Sequence, residues 1–319
     1  MITVMGAGAF GTALAVSMAR VRPVRLWAHD AAHIAEMQRT ARNERRLPGV
    51  PLGENMTFCS ELETVSKQDI ILLAVPMQRL RAVLEAHQGA FGQAQLVACC
   101  KGMELSTGQG PIGIIQEVCP KATAAILTGP SFAADIAKGL PTALTLACGD
   151  NAAGPTLQQS LTTPNLRLYR TSDTTGAELG GALKNVMAIG AGVVMGAALG
   201  DSARAALMTR GFAEMTRMAE AVGAEPETLA GLSGFGDLVL TCTSDQSRNY
   251  RFGLSLGRNE GFDPSVTVEG AATARAVHAK ARALGLEMPI TAAITGLIAG
   301  ELQVEQAMDM LLSRPLKEE

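Results

Sequence analysis

Aromatic side chains are scarce: one tryptophan, two tyrosines and eight phenylalanines make up 3% of 319 residues. Charge is thin as well, at 18% against a usual share of about 25%. It leans neither way, since 27 Lys and Arg face 30 Asp and Glu for a net −3. A nucleic-acid partner, which calls for a basic face and stacking rings, is not expected from such a composition. The four histidines (His29, His33, His87, His278) include none in an Asp-paired acid/base setting. The six cysteines (Cys59, Cys99, Cys100, Cys119, Cys148, Cys242) form no CxxC pair and no metal-ligand spacing. No metal is expected, and reduced thiols in a cytoplasmic protein fit the pattern. Integral membrane association is not expected either. Three glycines break the uncharged stretch 1–19, no basic leader precedes it, and Asn185 to Gly200 is only 16 residues.

What the chain does have is glycine, 34 residues of it, and a 47% apolar fraction. Together these exclude intrinsic disorder and point to helices packed closely on small residues. The length leaves room for two domains. Short apolar runs at Ile2 to Met5, Val24 to Trp27, Ile70 to Val75, Gln95 to Cys99 and Ala124 to Leu127 alternate with helix-forming stretches, which predicts a doubly wound, mostly parallel α/β sheet. Thr142 to Cys148 and Leu166 to Arg170 are candidates to extend it, in antiparallel sense. Later the period changes to that of helices: Met208, Phe212, Met215, Ala219 and Val222 share one face, as do Val304, Met308, Leu311 and Leu312. The expected division is a Rossmann domain over 1–173 and an all-α domain over 174–319.

Gly6, Gly8 and Gly11 stand in GxGxxG spacing between the first strand and an Ala-rich helix. The first glycine suits the tight turn, the second lets backbone approach a pyrophosphate, and the third lets helix and strand pack closely. The helix N-terminus adds free N–H groups and a positive dipole end. At the end of the second strand, Asp30 suits a ribose diol, whereas His29, Arg42, Arg45 and Arg46 suit a 2′-phosphate, so both NAD and NADP are expected. Asp30 as the N-cap of a helix over Ala31 to Arg39 is the competing reading.

Lys184 is the only charged residue from Leu179 to Gly200. It must either snorkel to water or sit buried with a purpose, and burial lowers an ammonium pKa toward the range a general acid needs. Lys101 follows an apolar run and is placed at the carboxyl end of a strand, the edge where doubly wound sheets bind ligands. Gly231 to Asp237 brings three glycines before an acid, and Ser247, Arg248 and Asn249 follow. Arginine's planar fork suits a phosphate or carboxylate, although a solvated surface charge is the plainer reading.

The blocks Gly6-Ala-Gly-Ala-Phe-Gly-Thr-Ala-Leu, Trp27-Ala-His-Asp30, Lys101-Gly-Met-Glu, Gly129-Pro-Ser-Phe-Ala133, Gly180-Gly-Ala-Leu-Lys-Asn185, Gly234-Phe-Gly-Asp-Leu-Val-Leu-Thr-Cys-Thr243, Ser247-Arg-Asn249 and Val268-Glu-Gly270 run in order along nearly the whole chain. The sequence thereby resembles the bacterial NAD(P)-dependent glycerol-3-phosphate dehydrogenases. That resemblance implies interconversion of dihydroxyacetone phosphate and sn-glycerol 3-phosphate for glycerophospholipid synthesis, in the cytoplasm, and leaves room for a homodimer. It implies Lys184 as the catalytic acid/base. Substrate contacts would come from Lys101, Gly129, Ser131, Lys184, Asp237, Ser247, Arg248 and Asn249. Cofactor contacts would come from Gly6, Gly8, Ala9, Phe10, Gly11, His29, Arg46, Lys101, Ala133, Arg248, Thr267 and Glu269. Two departures stand out: a shorter segment between Arg258 and Val266, and Asp201-Ser202 in place of an asparagine-containing turn. The rival enzyme class is a β-hydroxyacid dehydrogenase, which shares the architecture and a lysine but differs at the glycine turn and lacks the Ser247-Arg248-Asn249 block. The rival from another class, a catalytically silent dinucleotide sensor, would have no use for Lys101, Lys184, Asp237 and Arg248 together.

Overall fold

The computed structural model describes residues 1–62 and 66–313. The chain divides into two compact units, one formed by Met1–Lys101 with Gln109–Glu178, the other by Gly102–Gly108 with the chain from Leu179 onward. The division falls inside helix Thr174–Gly196. The first turn of that helix sides with the sheet, because Ala177 joins the sheet's apolar cluster and the Glu178 carboxylate accepts from Ile112 N at 2.5 Å.

Among its described residues the first unit holds ten strands: β1 (Ile2–Met5), β2 (Val24–Trp27), β3 (Arg42–Asn43), β4 (Leu47–Pro51), β5 (Met56–Cys59), β6 (Ile70–Leu73), β7 (Gln95–Ala98), β8 (Thr123–Thr128), β9 (Thr142–Cys148) and β10 (Leu166–Thr171). Eight of them form one sheet in the order β10-β9-β8-β7-β6-β1-β2-β5, and β3 pairs with β4 as a separate antiparallel hairpin. All neighbours in the large sheet are parallel except β8 and β9. Both late strands therefore run opposite to the rest of the sheet as expected, β9 antiparallel to its neighbour β8 and β10 parallel to β9.

The central strands are apolar throughout because both faces of the sheet are covered. Ile70 and Leu72 of β6 point into a cluster with Leu14 and Met18 of the helix Ala9–Ala19, while Ile71 and Leu73 point the other way, toward Leu80, Leu84 and Ile114. The chain order reverses between β1 and β6, which makes the carboxyl ends of these two strands the switch point of the sheet. The expected strands at Ile2, Val24, Ile70, Gln95 and Ala124 are all present. Strand β5 and the hairpin β3–β4 are additions.

The second unit is helical. Helix Thr174–Gly196 runs longer than the uncharged stretch suggested, and by length and composition alone it could cross a membrane; 89% of its most apolar stretch is buried inside the protein, as befits a core helix. Around it lie helices Asp201–Ala221, Asp237–Cys242, Arg248–Gly257, Glu269–Ala283, Pro289–Ala299 and Val304–Leu312. Gly223 and Gly285 close two of these with positive φ, whereas Pro289 opens a helix at its first position. Close packing on glycine is clearest where Gly192 and Gly196 of the central helix meet Gly253 and Gly257. A Cβ on Gly192 would lie 2.1 Å from the Tyr250 carbonyl oxygen, and one on Gly253 2.0 Å from that of Ile189.

Glu214, 1% exposed, caps helix Pro289–Ala299 by accepting from Ile290 N (2.6 Å), Thr291 N (3.0 Å) and Thr291 Oγ1 (2.9 Å). Burial raises its pKa above the ordinary value of 4.5 despite those donors. A raised carboxyl pKa means stability that is fully present below the unfolded value and is lost as pH rises through the folded one. Glu214→Gln keeps the shape of the protonated form, so its urea midpoint should gain on the native chain as pH rises above the ordinary carboxylate value of 4.5. A gap that stays constant with pH would contradict this.

Candidate active site

In the first unit the turn after β1 has the steric features the spacing implied. Gly6 has φ +119°, and a Cβ there would lie 2.5 Å from the Ala74 carbonyl oxygen just beyond β6; one on Gly11 would lie 2.1 Å from Gly6 O. Gly8 is the contrast. A Cβ there meets nothing within 4 Å, so the backbone borders open space at the switch point. Gly8 is also the N-cap of helix Ala9–Ala19, with no side-chain cap and no acid in the first turn. A pyrophosphate fits a cradle of this kind, with Ala9 and Phe10 opening the helix beside it.

The segment after β2 is organised differently from a bare ribose contact. Asp30 is the N-cap of helix Ala31–Thr40, accepting from His33 N at 3.1 Å, and its other carboxylate oxygen pairs with Arg45 at 3.4 Å. Arg42 pairs with Glu44 at 3.3 Å. His29 and Arg46 are exposed. One residue here went unnoticed in the sequence. Asn43, 1% exposed, donates to Ala7 O (3.0 Å) and Thr12 Oγ1 (2.8 Å), and its oxygen meets His33 Nε2 at 2.9 Å.

At the carboxyl ends of β7 and β8 three of the expected substrate residues gather. Lys101 Nζ donates to Gly129 O at 3.3 Å, and Ser131 Oγ donates to the same oxygen at 3.2 Å. Gly129 has φ +135°, and a Cβ there would press on Leu144 Cα at 3.2 Å. Ala133 begins the helix Ala133–Lys138 that follows. Burial pushes the neighbouring Cys99 thiol up to about 12, with Lys101 opposing, so it stays protonated.

In the second unit Lys184 is buried rather than snorkelling, its side chain 8% exposed. Its ammonium donates to Asp237 Oδ1 at 2.9 Å and to Thr241 Oγ1 at 2.8 Å, and Thr241 in turn donates to Asp237 Oδ1 at 3.2 Å. The local sequence builds this cluster. Gly180, one turn before Lys184, would carry a Cβ 2.6 Å from Ser233 O, so only glycine lets the Leu232–Gly236 segment come this close. That segment is a π-helical turn, closed by Gly236 N donating to Gly231 O at 3.0 Å, and it delivers Asp237 as the first residue of the next helix. Thr241 lies four residues on and so shares the Asp237 face; that i,i+4 relation was the available signal for it. Cys242 beside them is held protonated, its pKa pushed up to about 12 by burial.

The Ser247-Arg248-Asn249 block splits by role. Ser247 caps helix Arg248–Gly257, accepting from Tyr250 N at 3.2 Å. Asn249 donates to Asn185 Oδ1 at 2.9 Å and accepts from Gly270 N at 2.9 Å, tying three helices together. Arg248, the first residue of its helix, keeps its side chain exposed at a helix N-terminus. Glu269 opens helix Glu269–Ala283 half-buried, and Thr267 before it is exposed. Among the described residues no group of three or more His, Cys, Asp or Glu could hold a metal ion.

Residues 1–154 match the family model for the NAD-dependent glycerol-3-phosphate dehydrogenase N-terminus, and residues 173–309 match that for its C-terminus. The chain belongs to the NAD-dependent glycerol-3-phosphate dehydrogenase family. Among curated glycerol-3-phosphate dehydrogenases (NAD(P)+), that of Ruegeria sp. (strain TM1040) is 61% identical over 318 residues, spanning 100% of this chain and 99% of that protein. That of Cereibacter sphaeroides is 59% identical across the full length of both. The crystal structure of glycerol-3-phosphate dehydrogenase from Coxiella burnetii superposes with a TM-score of 0.90 at 35% identity, covering 98% of each chain. Likeness to D-mandelate dehydrogenase is weaker, with a TM-score of 0.65 at 15% identity, and is one of fold alone.

Proposed function

We propose that this glycerol-3-phosphate dehydrogenase interconverts dihydroxyacetone phosphate and sn-glycerol 3-phosphate with NAD(H) or NADP(H), in the cytoplasm, and so supplies glycerol 3-phosphate for glycerophospholipids. The observation that carries the reading is a buried Lys184 ammonium oriented by both Asp237 and Thr241 in a chain of this family. Bound NADH or NADPH supplies the hydride to the carbonyl carbon. Lys184 polarises the carbonyl oxygen and gives it a proton; in the oxidation its amine takes that proton back. Asp237 compensates the ammonium in its buried setting and Thr241 fixes its direction. Arg248, with its helix N-terminus, holds the substrate phosphate through a bidentate fork. The Gly6 to Gly11 turn takes the pyrophosphate, and Lys101, Gly129 and Ser131 line the strand ends on the substrate side.

Cofactor turnover with dihydroxyacetone phosphate should far exceed turnover with 3-hydroxy acids, and comparable rates would favour the β-hydroxyacid class. With Arg42 and Arg45 paired to Glu44 and Asp30, Arg46 is the arginine left to meet a 2′-phosphate. Arg46→Ala should therefore raise KM for NADPH more than for NADH, with the gap widening at low salt where charge is least screened. Equal shifts in the two KM values would reduce Arg46 to a solvated surface charge.

A further inference from the structure

We propose that Asn43 is a positioning residue for the cofactor: it aims the Gly8 amide of the phosphate-binding turn. The inference rests on the reading of that turn as the pyrophosphate site. Both donors of the Asn43 amide are used, one on Ala7 O and one on Thr12 Oγ1, and its oxygen faces His33 Nε2. Ala7 O can only accept, which fixes the amide's orientation and requires His33 to carry its proton on Nε2.

The consequence comes from peptide geometry. Ala7 C=O and Gly8 N–H belong to one trans peptide plane and point in opposite directions. Holding the Ala7 oxygen toward Asn43 turns the Gly8 N–H the opposite way, at a residue where a built Cβ would meet nothing within 4 Å. The second donor, on Thr12, pins the first turn of the helix whose N-terminus faces the same ligand, and Thr12 N donates to Gly8 O at 2.9 Å to close it.

The network also reaches the adenosine end. His33 N donates to Asp30 Oδ1, so a chain of hydrogen bonds runs from the end of β2 through His33 and Asn43 to the glycine turn. Asn43 lies in the hairpin that carries Arg45 and Arg46. One buried amide therefore sets the pyrophosphate turn and the basic hairpin in register with each other.

The test uses Asn43→Asp, which keeps the shape and the acceptor toward His33 but cannot donate to Ala7 O. The Kd for NADH, by fluorescence titration, should rise about tenfold or more. At saturating NADH, kcat and KM for dihydroxyacetone phosphate should stay within about twofold, because none of Lys101, Ser131, Lys184, Asp237 and Arg248 bonds to Asn43. ADP-ribose, which keeps the pyrophosphate, should lose as much affinity as NADH. Asn55→Ala serves as the structural control: it removes a bond from Asn55 Nδ2 to Ala19 O (2.9 Å) at the far end of the same helix, and should lower Tm without moving Kd. A Kd for Asn43→Asp within twofold of native, or a loss that Asn55→Ala reproduces at equal Tm, overturns the proposal. Should Asn43→Asp fail to fold, Thr12→Val removes one acceptor and should raise Kd about two- to fivefold; no change there also overturns it. Gly8→Val separates the two readings. If it binds NADH normally, the turn is not the pyrophosphate site, whatever Asn43 does.

Discussion

Replacing Lys184 with methionine should lower kcat by about 10²- to 10⁴-fold, the usual share of a general acid, while the Kd for NADH stays near the native value. The glycine turn and the hairpin that holds it lie in the other unit, so fluorescence titration separates lost chemistry from lost binding. The variant should also be less stable. Asp237 is 1% exposed, and breaking a buried ion pair costs about 3 to 5 kcal/mol. Adding Asp237→Asn removes the buried negative charge and should recover most of that stability without recovering turnover. A Lys184→Met enzyme with near-normal kcat would end the assignment of Lys184 as the acid.

Arg248→Ala should lower kcat/KM for dihydroxyacetone phosphate by about 2 to 5 kcal/mol, roughly thirtyfold to several thousandfold, because the dianion loses its bidentate partner on desolvation. The loss should be far smaller with unphosphorylated dihydroxyacetone, which never engages the guanidinium. Its exposure in the free chain makes this a clean substitution, with no internal bond given up by the fold. Equal losses on both substrates would contradict the anchor role.

The sheet was legible because β1, β6 and β7 are short apolar runs with helices between them, and because Gly6 and Gly11 answer steric demands while Gly8 leaves its backbone bordering open space. The hairpin was not. Its strands contain Pro48 and Pro51, residues that argue against strand in any local reading, and β5 is a brief edge strand. Asn43 was hidden for a different reason: its partners Ala7 and Thr12 lie 36 and 31 residues away, and nothing in a run of arginines marks a buried amide. Lys184 stood out because a lone charge in an apolar helix is costly wherever it goes. Ser247 and Asn249 show the opposite limit. Their residue types suit an oxyanion, yet the Ser247 side chain also caps its own helix and that of Asn249 also bridges to Asn185, and only the second of these uses depends on a contact distant in sequence.

At the four glycines between helices Thr174–Gly196 and Arg248–Gly257 backbone meets backbone, and the atoms nearest each built Cβ are all main-chain. At most helix contacts side chains hop between rotamers, which leaves the close packing some local adjustment. That adjustment is missing here. One helix carries Lys184 and the other begins with Arg248, so the spacing between the backbones that bear these two residues is held as if by a gauge block. It is set by the radii of carbonyl oxygens and α-carbons, and sequence drift in the surrounding side chains has little leverage on it. Enlarging any of the four glycines by a methyl would spread both helices at once and carry the two functional groups apart.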